Sequence, residues 1–260
     1  MSKPQHPDAE TEIIFGINAV NELLQSGNRD VEVFYCEESA GKRIKVLESL
    51  ARRQGLLIKH LPKAALSRLA GVDRHQGVAV SVAQFNYSPL AALLPSAAVQ
   101  RHPLPAILAL DGVTDPQNLG AILRTAAAAG VAGVIIPERR AAGITPVVAR
   151  IASGGLEYVK ICRVTNLVTA LQQCREQGYW IAGTVTAAEG LSVYQADLCR
   201  PLVIVVGSEA KGMRPLVRRT CDLLLTIPLR TSIESLNVSA ATAVVLFEML
   251  RQQEMAAVGR

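Results

Sequence analysis

The chain has 260 residues, 27 Lys+Arg against 22 Asp+Glu, a net charge of +5 and a pI near 9.1. Half of it is apolar and only 19% is charged, which excludes a disordered tail protein. Five cysteines in a chain of this length exclude a disulfide scaffold, and one tryptophan, five tyrosines and four phenylalanines are too few for a base-stacking platform.

Residues 1–11 read as a polar, disordered leader without the apolar core of a signal peptide. A small α/β unit follows over 12–85. Its expected elements are a helix over Asn18–Gln25 ended by Gly27, a strand over Val31–Tyr35, a helix over Lys42–Gln54, and strands at Leu56–His60 and Val78–Val82. The helix over Lys42–Gln54 rests on Ile44, Leu47, Leu50 and Ala51, which recur at helical spacing. Residues 86–105 carry Pro89, Pro95, Pro103 and Pro105 and read as a linker.

From Ala106 the alternation resumes in longer units, taken as a second domain over 106–255 with a short tail over 256–260. Apolar runs at Ala106–Leu110, Val131–Ile136, Trp180–Gly183, Leu202–Val206 and Leu223–Ile227 read as buried parallel strands. Helices are expected over Leu119–Ala129, Leu167–Gln177, Arg214–Thr220 and about Ala240–Gln253. Strands alternating with helices define an α/β class with a parallel sheet.

Charge is unevenly spread. Residues 8–38 hold eight acidic side chains and one basic, Arg29, whereas residues 42–74 hold nine basic and two acidic. Such a stretch reads equally as a solvated helix face or as a phosphate-contacting surface. The cysteines Cys36, Cys162, Cys174, Cys199 and Cys221 are odd in number and show no CxxC spacing, which predicts reduced thiols in a cytoplasmic protein. His6, His60, His75 and His102 do not pair with them at ligand spacings, so no metal site is expected. No apolar run reaches the roughly 18 residues of a membrane span.

Three constellations carry chemistry. In Leu110–Gly130, Asp115 can cap a helix opened by Pro116, within which lie Asn118 and Arg124. These two are six positions apart, about 240° round the helix, and so do not share a face. Arg124 sits among Ile122, Leu123 and Ala126, and is expected to need a buried partner or a ligand. In Val205–Pro215, a strand runs through Gly207-Ser208-Glu209 into a glycine-rich turn. Gly207 and Gly212 have phosphate-loop spacing, but Met213-Arg214 replaces the required Lys-Ser/Thr. No GxGxxG occurs, which disfavours a dinucleotide-dependent oxidoreductase. In Ile227–Ala243, a polar loop leads to Asn237 and to Ser239, the expected N-cap of the final helix.

In this order the three constellations resemble the motifs of the SpoU (TrmH-like) family of RNA ribose 2′-O-methyltransferases, over about Ala106–Gln253. Ile13–Val20 and the His75–Val80 stretch resemble the substrate-binding domain of some members. Within the family the chain resembles those that methylate a guanosine of 23S ribosomal RNA, with Val164-Thr-Asn-Leu and Leu191-Ser-Val-Tyr in support. The resemblance implies a SPOUT fold, a parallel-sheet methyltransferase domain with a deep trefoil knot, preceded by a small L30e-like α/β domain that binds RNA. It implies S-adenosyl-L-methionine held by Gly207, Ile227 and Leu236, polar site residues Asn118, Arg124, Glu209, Asn237 and Ser239, and a homodimer acting on ribosomal RNA. Gln117, Glu234 and Gly154-Gly155-Leu156 depart from the family's usual pattern, and Glu234 near RNA calls for pairing with Arg230. A transfer-RNA methyltransferase and a non-catalytic ribosome-assembly protein remain the alternatives.

Overall fold

The computed structural model describes residues 11–26, 31–39, 41–83, 85–94, 105–186 and 190–258. They form two compact units.

The first unit is a four-stranded sheet with helices against it. In chain order it contains β1 (Thr11–Phe15), α1 (Ile17–Ser26), β2 (Val31–Glu37), α2 (Lys42–Arg53), β3 (Leu57–Leu61), α3 (Lys63–Ala70) and β4 (Val78–Ala83). The strand order is β1-β4-β2-β3, with β2 and β3 parallel and β4 antiparallel to both of its neighbours. Alternation explains the burial: Phe34 and Cys36 of β2 turn inward, while Ile44, Leu47 and Ala51 form the buried stripe of α2. All nine basic side chains of residues 42–74 are exposed.

The leader and Gly27 lie outside the described residues, except that Thr11 opens β1, paired with Ala83. Periodicity alone did not mark β1, because its outer half is only partly buried. It did not mark α3 either, which is eight residues long with Leu66 as its one buried side chain. In the linker, residues 95–104 lie outside the described residues, and Leu90–Leu93 forms a 3-10 turn.

The second unit is built on β5 (Ala106–Asp111), α4 (Pro116–Ala128) and β6 (Gly133–Pro137). Next in the chain is α5 (Pro146–Ala152), which groups with the first unit as part of Ile144–Glu157. There α5 packs on β1 and α1, and Arg150 lies 5.4 Å from the Phe15 ring. Within the stretch expected as one domain over 106–255, this short helix groups with the first unit, and its buried face of Val148, Ala149 and Ala152 needs a partner surface.

The second unit resumes with β7 (Lys160–Val164), α6 (Leu167–Glu176), β8 (Trp180–Thr184), β9 (Leu191–Ser192), β10 (Leu202–Gly207), α7 (Pro215–Thr220), β11 (Leu223–Thr226) and α8 (Val238–Val258). Its seven strands are all parallel, in the order β7-β6-β5-β10-β8-β11-β9. Every residue of β5, β6 and β10 is buried, which is why those strands read as continuous apolar runs. Two strands enter slots between strands laid down earlier in the chain. β10 lies between β5 and β8, and β11 between β8 and β9. Sequential strands usually lie side by side, and β10 and β11 depart from that order. Among the described residues no helix is long and apolar enough to cross a membrane.

Candidate active site

The carboxyl ends of β8, β10 and β11 open on one side of the sheet into a cleft of about 750 Å³, measured with its open mouth. Open α/β sheets place their ligands at this edge. The apolar walls come from Val206, Leu225, Ile227, Leu236 and Val238, and the polar rim from Thr184, Ser208, Glu209, Glu234 and Ser235. Gly207, Ile227 and Leu236, the three positions expected to hold a cofactor, all line it.

Gly207 lets the loop after β10 pack directly on the strand. An added Cβ would stand 2.3 Å from the carbonyl carbon of Gly212 and from the amide nitrogen of Met213. No side chain fits between β10 and the returning loop. Ser208 and Gly212 bond through both backbone amides, at 3.1 and 2.8 Å, and Gly212 turns with φ +62°. The loop's far end is fixed at Asp111, a buried carboxylate at the tip of β5. It accepts hydrogen bonds from the Arg214 amide at 2.7 Å and from Arg214 Nε at 2.6 Å.

Beside the cleft, side chains from three distant stretches meet. Asn237 Nδ2 donates to Asn118 Oδ1 at 3.0 Å and to Glu209 Oε1 at 2.5 Å. Glu209 Oε1 also accepts from the Val238 amide at 3.1 Å, and so sits at the amino end of the 21-residue α8. Asn237 Oδ1 accepts from the Ser239 amide at 2.9 Å and from Ser239 Oγ at 2.6 Å. Asn237 is thus the cap of α8, and Ser239, expected to be the cap, lies inside the first turn. The helix begins two residues earlier than its apolar pattern suggests, because the Asn237 side chain reaches the second amide.

On α4, Asp115 accepts from the Gln117 amide at 2.9 Å, which fixes the helix start and so aims Asn118. Arg124 lies farther along α4 and is exposed. It makes no hydrogen bond or ion pair with another described residue. Of the buried partner or ligand expected for it, the buried partner is absent among these residues, because the arginine stands at the exposed edge of an otherwise buried stripe. Glu234 lines the cleft and makes no ion pair with Arg230 among the described residues.

The cysteines form no disulfide among the described residues. Burial pushes the Cys174 and Cys221 thiols up to about 12.

A parallel sheet covered by helices, a cleft at its carboxyl edge and a polar network beside that cleft define an α/β protein with a small-molecule site. The SpoU rRNA methylase family profile matches residues 105–247, and the RNA 2′-O ribose methyltransferase substrate-binding profile matches residues 13–88. The chain belongs to the SpoU family. It is 42% identical over 249 residues to the 23S rRNA (guanosine-2′-O-)-methyltransferase RlmB of Shewanella oneidensis, covering 93% of this chain and 98% of that protein. An AdoMet-bound rRNA methyltransferase from Sinorhizobium meliloti superposes with a TM-score of 0.75 at 25% identity, over 93% of this chain and 87% of that one. The SpoU methyltransferase AviRb from Streptomyces viridochromogenes superposes with a TM-score of 0.79 at 21% identity, over 95% and 91% of the two chains, and shares the fold. The fold is the SPOUT fold, with its separate N-terminal α/β domain.

Proposed function

We propose that this chain transfers the methyl group of S-adenosylmethionine to the 2′-hydroxyl of a guanosine ribose in 23S ribosomal RNA. The observation that carries this reading is the meeting of Asn118, Glu209 and Asn237 at the edge of the cleft. The 23S guanosine substrate comes from relatives such as the Shewanella enzyme, which matches nearly end to end.

The residues suit the donor. Gly207 presents bare backbone to the cleft, while Ile227 and Leu236 give apolar walls for a flat ring. When bound, the donor supplies an electrophilic methyl on a positively charged sulfur, which leaves as a neutral thioether. The chain's own part is to align the 2′-oxygen with that methyl, and positioning of this kind supplies roughly 7–11 kcal/mol in favourable cases. Asn118, Asn237 and Ser239 form a fixed polar edge for the ribose. Arg124 is a guanidinium without a partner among the described residues, suited to an alkoxide or an adjacent phosphate, and a poor base because it stays protonated. Glu209 has Oε1 committed to two donors, which leaves Oε2 to take the hydroxyl proton.

The N-terminal domain contributes the RNA grip. The exposed basic side chains on α2, β3 and α3 suit phosphate contacts, which suits ribosomal RNA as partner. The ribosomal-RNA substrate of relatives such as the Shewanella enzyme supports action in the cytoplasm. Phe247 and Met255, large apolar side chains exposed on α8, support a homodimer. The test is a map of 2′-O-methyl marks in ribosomal RNA from a strain lacking the gene. Loss of one guanosine mark in 23S RNA is expected, and an unchanged map moves the substrate to transfer RNA.

A further inference from the structure

Away from the cleft, the N-terminal unit brings together three side chains that sequence spacing keeps apart. Cys36 of β2 and His60 of β3 are register partners on parallel strands, so both stand on the same face of the sheet. α2 lies over that face, and its Glu48 reaches them from above. Glu48 Oε1 is 3.3 Å from His60 Nε2. One ligand atom from each residue lies within 4.8 Å of the other two.

The cluster is graded from inside to outside. Cys36 is fully buried and makes no hydrogen bond with another described residue, Glu48 is half-buried, and His60 is exposed. Burial, with the Glu48 carboxylate beside it, pushes the Cys36 thiol up to about 11. A sulfur, an imidazole nitrogen and a carboxylate oxygen thus face one point that solvent reaches past His60.

We propose that Cys36, Glu48 and His60 bind a thiophilic divalent cation, zinc above all. The ligand chemistry selects it, since a thiolate with an imidazole suits zinc and disfavours magnesium or calcium. Ligands about 2.0–2.3 Å from a tetrahedral centre stand roughly 3.3–3.8 Å from one another. Glu48 and His60 already stand at that spacing, 3.3 Å apart. On binding, the Cys36 proton leaves to solvent, and the thiolate and carboxylate together cancel the charge of the ion. His60 binds through Nε2 as the neutral ring. A water molecule takes the fourth position on the open side. Arg52, which now bonds Glu48 at 2.9 Å, is 71% exposed and turns away into solvent. The ion then ties α2 to β2 and β3, fixing the helix that carries much of the basic face.

Cobalt titration of the full chain tests this. Co²⁺ is expected to give a near-ultraviolet thiolate charge-transfer band and tetrahedral visible bands at one ion per chain, both bleached by Zn²⁺. Binding should tighten as pH rises, because the thiol must lose its proton. Cys36→Ser should remove the thiolate band. His60→Ala, at an exposed position that does not threaten folding, should weaken binding by at least the roughly 10- to 100-fold that losing a mere supporting partner costs. Absence of a thiolate band in the full chain, or a band unaltered in Cys36→Ser and His60→Ala, overturns the proposal.

Discussion

The cleft at the carboxyl edge of the seven-stranded sheet and the basic face around α2 use opposite means. At the cleft, position is fixed by contacts that admit no slack. Gly207 has no room for a Cβ, Asp111 is buried beneath Arg214, and one oxygen of Glu209 holds both Asn237 and the start of α8. On α2 and α3 the side chains of Lys42, Arg43, Lys63 and Arg68 are exposed, and what they offer is charge. Methyl transfer needs angstrom-level alignment, whereas capture of a polyanion needs only potential over a surface. The difference teaches where a substitution acts as a switch and where it acts as a small increment.

The largest effect is expected at Arg124. Arg124→Ala should lower kcat by roughly 100- to 1000-fold, the usual cost of losing one stabilising donor. Donor affinity, read by calorimetric titration with S-adenosylmethionine, should stay within a few-fold, because Arg124 does not line the cleft. Full activity in the variant would remove Arg124 from the chemistry. Next comes Gly207→Ala. Its methyl would meet backbone at 2.3 Å, so the loop must move. Overpacking costs about 1–3 kcal/mol, which translates to a loss of donor affinity of roughly 5- to 150-fold. An unchanged affinity in the same titration would show that the loop gives way freely, and the contrast between the two regions would fail.

The basic face should respond in proportion. Replacing Lys42, Arg43 and Lys63 together by Gln is expected to raise KM for RNA by about tenfold, with donor affinity within a few-fold. The slope of log affinity against log salt should become shallower by about 2, as three phosphate contacts are lost. A steep drop in kcat instead would mean that this face aligns the substrate as well as attracting it.

These regions were also unequally legible in the sequence. The parallel strands of the second unit stand out as apolar runs, because burial on both faces leaves no alternation to misread. The three constellations could be singled out, since each lies where a strand ends and a helix begins, and the structure brings Asn118, Glu209 and Asn237 together. That Asn237 rather than Ser239 caps α8 could not be read, because the choice turns on where the first amides point. The grouping of α5 with β1 and α1 was invisible for another reason. A seven-residue helix with three buried side chains has an apolar face but no mark of which surface covers it. The meeting of Cys36, Glu48 and His60 depends on the β2–β3 register, a long-range pairing that no local spacing encodes.

The smallest effect is expected where the two regions use the same interaction. Arg214 and Asp111 at the cleft, and Arg52 and Glu48 on α2, are both arginine–carboxylate pairs, at 2.6 and 2.9 Å. Asp111 is 1% exposed, and the Arg214 backbone amide also bonds it, so the pair sits where water competes poorly. Arg52 stands 71% in solvent, one helical turn from its partner. Exposed pairs of this spacing contribute about 0.3–0.5 kcal/mol. Alanine is the better helix former by a few tenths of a kcal/mol, which offsets part of the loss. Arg52→Ala should therefore lower the unfolding free energy by no more than about 0.5 kcal/mol. Even that should vanish in 1 M salt, where the screening length falls to about 3 Å. Chemical denaturation at low and high salt checks this, and a loss above about 1 kcal/mol that persists in salt would place the pair among the fixed contacts of the cleft rather than on the charged face.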